Sequence, residues 1–85
     1  MADQQEAGKV IHYYDKLGVA VVRLSESLEA GDMIKVARGE TDFEMKVGSM
    51  QIDHKEVNVA KAGDEVAIKV DEPTKEGAVV YKVMA

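Results

Sequence analysis

Eighty-five residues, 46% of them hydrophobic and none of them cysteine, make one small domain that no disulfide or cysteine-based zinc site can staple. A chain this short buries only about 60% of the surface it exposes when unfolded, so a single contiguous core is expected. Sixteen acidic against eleven basic residues give a net charge of −5, with the two signs interspersed as in Glu44-Met45-Lys46; this excludes the clustered cations of an extensive nucleic-acid footprint.

The apolar runs are far shorter than the roughly 20 residues that span a bilayer, so no membrane partner is expected. Met1–Glu6 has neither the basic nor the apolar stretch of a leader, which points to the cytoplasm. Residues 1–7 (MADQQEA) lack apolar periodicity and read as a flexible N-terminal tail. A single β-barrel domain is expected over 8–85.

Short Val- and Ile-rich runs separated by turn signals then follow, the pattern of an all-β domain. Lys9–Tyr14 is the first strand, with His12 placed on the face of Val10 and Tyr14. Asp15–Gly18 turns the chain into Val19–Leu24, whose Ala20, Val22 and Leu24 share one face. Ser25–Gly31 is the only candidate for a helical turn, with Leu28 as its core contact. Asp32–Arg38 alternates Ile34 and Val36 against Lys35, and 39–42 turns back.

Phe43–Asp53 is about twice the usual strand length. Its apolar residues fall on odd numbers (Phe43, Met45, Val47) and then on even ones (Met50, Ile52). A strand's side chains alternate with period 2, so the apolar set stays on one face only if a residue is absorbed at Gly48-Ser49, as in a β-bulge or sharp bend; the alternative is two strands with a loop between them. His54–Asn58 reads as a loop and Glu65–Val70 as a strand burying Val66, Ile68 and Val70. Residues 71–77 connect it to a last strand, Ala78–Met84, with Val79, Tyr81 and Val83 on one side. Six strands without a convincing helix leave two vulnerable edges unless the sheet closes. The expected fold is therefore all-β, a closed six-stranded antiparallel barrel.

Five phrases in order, Gly8-Lys9-Val10, Leu28 to Val36 (LEAGDMIKV), Val47-Gly48-Ser49-Met50, Ala60 to Ile68 (AKAGDEVAI) and Glu76 to Lys82 (EGAVVYK), resemble the β-barrel second domain of translational GTPases of the elongation factor Tu type. The resemblance runs from Gly8 to Val83 and implies a Greek-key barrel of the translation-protein (reductase–isomerase–elongation-factor) type. Gly31-Asp32 and Gly63-Asp64 read independently as sharp turns entering strands, and with Gly48-Ser49 they form the structural set. No GxxxxGK[ST] loop is present, so no nucleotide is expected. In the tRNA-carrying members a Glu and a Phe-Arg pair help to hold the aminoacylated end; the aligned positions here are Gln51 and Asp53-His54, so that site is not carried over.

Two histidines, one in a strand and one in a loop, do not make a metal set, and no nucleophile–base pair is visible. No enzyme activity, metal or cofactor is expected. The implied function is a non-catalytic stand-alone binding module associated with translation or with a partner enzyme, its partner a protein or a component related to the ribosome or tRNA. The alternative is a small barrel that binds tRNA or single-stranded RNA. Loops carry recognition on rigid scaffolds, so the candidate binding residues are Gln51, Asp53, His54, Lys55, Tyr14 and Lys16.

Overall fold

Ten strand segments, all paired antiparallel, organise the chain in a computed structural model that describes residues 3–70 and 72–84. They are β1 (Asp3–Tyr14), β2 (Val19–Leu24), β3 (Leu28–Glu29), β4 (Met33–Arg38), β5 (Thr41–Lys46), β6 (Met50–Ile52), β7 (Lys55–Val57), β8 (Val59–Ala60), β9 (Glu65–Lys69) and β10 (Val79–Met84). Eight of them form one sheet in the order β5-β4-β10-β1-β2-β9-β6-β7, and β3 pairs with β8 separately.

The expected closed six-stranded Greek-key barrel is not what this pairing shows. The hydrogen-bonded order begins at β5 and ends at β7, and among the described residues no ladder joins the two. The reason lies in the long strand anticipated over 43–53. Val47–Ser49 leaves the main ladder between β5 and β6, so the phase change is made by a break rather than by a bulge within one strand. Val47 and Met50 are both buried while Gly48 and Ser49 between them are exposed. Val47 remains tied to the turn before β4: its N–H donates to the Asp32 carbonyl at 2.8 Å, and its carbonyl accepts from Gly31 N–H at 2.7 Å. The sheet curls until β5 and β6, near opposite ends of its order, are three residues apart.

One core fills this curl. It takes Ala7 and Val10 from β1, Ala20, Val22 and Leu24 from β2, Ile34 and Val36 from β4, Val66 and Ile68 from β9, and Val80 from β10, with Leu28, Phe43, Met45 and Met50 filling the remainder. Each fully buried branched side chain contributes about 1.5–3 kcal/mol of transfer free energy. Among the described residues no polar or charged side chain is buried, so the chemistry of the domain lies on its surface and at its ends.

Four further expectations change. Asp3–Glu6 belong to β1 and pair with β10, and Ala7, at the register shift that follows, is fully buried, so the described residues upstream of Gly8 are part of the sheet rather than a tail. Ser25–Gly31 holds no helical turn; Leu28 enters the core from β3. The loop expected over 54–58 contains β7, the second arm of a hairpin with β6. In the last strand Val79, Tyr81 and Val83 do share one side, half-buried, opposite Ala78 and Val80, which face the core. A register irregularity between Val10 and His12 turns His12 outward, where its ring lies 4.3 Å from that of Tyr14.

Two turns of the same design start β4 and β9. In Glu29–Asp32 and Lys61–Asp64 the fourth residue's N–H donates to the first residue's carbonyl, at 3.1 and 3.0 Å. The Asp side chains accept in return from Glu29 N–H and Lys61 N–H, at 3.0 and 2.9 Å. Gly31 and Gly63 occupy the third position with φ of 97° and 92°, a conformation that disfavours any residue with a Cβ.

Candidate functional site

The outer face of β2, β9, β6 and β7 carries a groove of about 510 Å³. Its floor follows from strand alternation: with Ala20, Val22, Val66 and Ile68 pointing inward, Val19, Val21 and Ala67 must point out. Register then aligns Val21, Ala67, Gln51 and Glu56 in one row across the four strands. At one end stands Glu65, which pairs across the strands with Arg23, their charged atoms 2.7 Å apart. At the other end stand Tyr14 and Leu17, 47% and 66% exposed.

Leu17 occupies a turn held by Gly18 N–H and Leu17 N–H, which donate to the Tyr14 carbonyl at 2.9 and 3.2 Å. Gly18, at φ 66°, lets the chain reverse there. The β6–β7 hairpin supplies Asp53 and His54 to the rim, and both have positive φ, 52° and 65°. A two-residue hairpin loop with both central residues left-handed is the type I′ pattern, which Asn-Gly or Asp-Gly would adopt at less cost. Backbone strain of this kind, held at a groove by a residue other than glycine, marks a position for functional scrutiny.

Of the residues anticipated for binding, Tyr14, Gln51, Asp53 and His54 line this groove together. Lys16 and Lys55 are exposed nearby but do not line it. Leu17 stands in the turn expected at this surface, between the anticipated Lys16 and Gly18, whereas Val19, Val21, Glu65 and Ala67 were not anticipated. A signal for two of them was present: Val19-Ala20-Val21-Val22 is apolar on both faces, which a strand wet on one side does not need. Among the described residues no group of three or more His, Asp or Glu side chains could hold a metal ion, and no helix is long and apolar enough to cross a membrane.

No protein-family model matches the chain. It is 40% identical over 77 residues, 89% of its length, to an uncharacterized protease of Methanocaldococcus jannaschii, of which it spans 19%. In fold it matches the crystal structure of the C-terminal domain of a Geobacillus thermoleovorans protein named as a U32 peptidase. The selenomethionine variant of that domain superposes with a TM-score of 0.87 at 22% identity, covering 92% of this chain and 99% of that one. A second crystal structure of the same domain gives 0.86 at 22% identity, covering 92% and 91%.

These likenesses overturn the resemblance to elongation factor barrels, and with it the translation-related reading, and they add no support to the RNA-binding alternative. The shared phrases mislead for a physical reason. Ala-Gly-Asp before a strand encodes a turn with a left-handed glycine and an Asp bonded back to the backbone, and unrelated small β domains can use the same turn. The proteins matched here carry protease or peptidase names, which leans toward an enzyme family; the chain spans about a fifth of the curated relative's length, and these names assign no role to so small a domain.

Proposed function

We propose that this domain is the accessory β domain of a U32-type peptidase system and that its outer groove docks onto the peptidase portion. The observation that carries this reading is the 40% identity spread over 89% of the chain to a protein named a protease, of which the chain corresponds to 19%. The likeness to a domain at the C-terminal end of a named U32 peptidase supports the same assignment. The cytoplasm is the compartment we assign it, in keeping with a cysteine-free chain.

The groove has the makings of a protein contact. A large apolar side chain 66% exposed at a turn tip, beside a half-exposed tyrosine and three outward apolar side chains, suits a surface that becomes covered. Tyrosine is enriched among residues that anchor interfaces, and the Gln51, Asp53, His54 and Glu65 rim supplies the polar border such interfaces have.

The test uses the M. jannaschii relative truncated by the segment that this chain matches, mixed with the intact 85-residue chain in sedimentation velocity. A one-to-one complex is expected, weakened at least about tenfold by Leu17→Asp or Val21→Asp. Circular dichroism should show both variants folded. Absence of a complex at micromolar concentration, or equal binding by both variants, would remove the reading.

A further inference from the structure

A second hollow lies at the end of the curled sheet where β1 and β4 finish and the β9–β10 connection crosses. Gly77 N–H donates to the Val10 carbonyl at 2.8 Å and Val10 N–H to the Ala78 carbonyl at 2.7 Å, which pins the end of that connection to β1. Two cavities share Arg38, Pro73, Thr74 and Lys75 as walls. The smaller, about 260 Å³, adds Val36 and Phe43 from the core. The larger, about 640 Å³, adds Tyr13, Asp15 and Glu76.

The smaller cavity has a polarity unusual for this chain. The protein carries five more acids than bases, yet the only charged residues lining this cavity are Arg38 and Lys75. Neither forms an ion pair among the described residues, which is true of most lysines in this chain as well; what distinguishes these two is that they line one cavity together. Glu76, on the outer rim, is drawn to His12 at 3.6 Å rather than to either cation. Two cations with no ion-pair partner among the described residues, and the Thr74 hydroxyl, lie beside Val36, Phe43 and Pro73, a lining that suits an anion with an apolar body.

We infer that this hollow binds the C-terminal end of a peptide: the terminal carboxylate between Arg38 and Lys75, the last apolar side chain on Phe43 and Val36, and the preceding backbone in the outer cavity. A guanidinium presents paired donors that match a carboxylate, and an ammonium adds a point charge. At about 260 Å³ the inner cavity falls below the usual ligand-pocket range of roughly 300–1,000 Å³, which suits one residue. Asp15 and Glu76 decide between polymers. A nucleic acid entering here would carry its phosphates past two carboxylates, whereas a peptide backbone is neutral. The choice of a peptide rests on the peptidase reading, while the anion site rests on the cavity alone.

The test is an amide-resonance titration of the intact chain with three probes: a short acetylated peptide ending in Leu with a free carboxylate, the same peptide amidated, and inorganic phosphate. The free acid should saturate shifts at Arg38, Phe43, Thr74 and Lys75, with the amide at least about tenfold weaker. Arg38→Gln and Lys75→Gln should each weaken the free acid about tenfold while leaving the thermal midpoint in place, because both side chains are exposed. Equal binding of acid and amide, no binding at about 5 mM, or phosphate binding as tightly as the peptide would overturn the proposal. The titration needs no peptidase portion, so its failure leaves the docking proposal standing, and failure of docking leaves the anion site standing.

Discussion

At Gly8 an added Cβ would sit 2.5 Å from the Arg23 carbonyl oxygen and 2.8 Å from a Val22 methyl. The first of these is backbone of the neighbouring strand, so it can yield only by moving β2 away from β1. Gly48, which the phase change in the sequence marks as the key glycine, has nothing within 4 Å of such a Cβ and no positive φ. Gly8→Ala should therefore cost about 1–3 kcal/mol and Gly48→Ala less than about 0.5 kcal/mol, read as urea midpoints at constant m-value. A larger loss at Gly48 than at Gly8 would contradict this ranking. The residues of the groove divide the same way. Tyr14, Gln51, Asp53 and His54 were singled out because they stand in or beside the connections expected over 15–18 and 54–58, where recognition residues concentrate. Ala67 was not, since a small outward residue in a strand carries no signal until its neighbours are known.

Among the elements, the β6–β7 hairpin links stability to function most directly. Its three-residue arms surround a two-residue loop in which Asp53 and His54 are both left-handed. A residue with a Cβ pays roughly 1–2 kcal/mol for that conformation, and glycine avoids the penalty. His54→Gly should stabilise the domain by about 1 kcal/mol in a thermal or urea melt while weakening docking through the groove, of which His54 is a wall. A variant that gains stability and docks as well as the parent would show that the histidine is incidental to the interface. The hairpin was hidden in the sequence because Lys55–Val57 has one apolar residue in three, too few for period-2 alternation to appear. The Gly31-Asp32 and Gly63-Asp64 turns were plain, because their chemistry is local.

For the whole molecule, β10 is decisive. It lies between β4 and β1, so it joins the β4–β5 pair to the remainder of the sheet, and Val80 near its start is fully buried. A chain lacking residues 79–84 loses that seam and should show no cooperative thermal transition, with far-ultraviolet circular dichroism of an unfolded chain. Retention of a sharp melt would mean that the core survives without it. The Cα radius of gyration, 11.4 Å, is close to the roughly 12 Å expected for a folded chain of this length.

Local rules were enough to establish an all-β chain, its inward faces over 19–24, 32–38 and 65–70, the phase change at 48–49 and the glycine–aspartate turns, because alternation and turn chemistry act over two to four residues. Tertiary structure alone decided the rest: that residues 3–6 pair with the last strand, that the chain breaks between β5 and β6 instead of bulging, that the ladder ends without closing, and that Arg38 and Lys75 line one cavity. Each of these joins segments distant in sequence, and their pairing depends on the long-range free energy of core burial, to which no short window of residues has access.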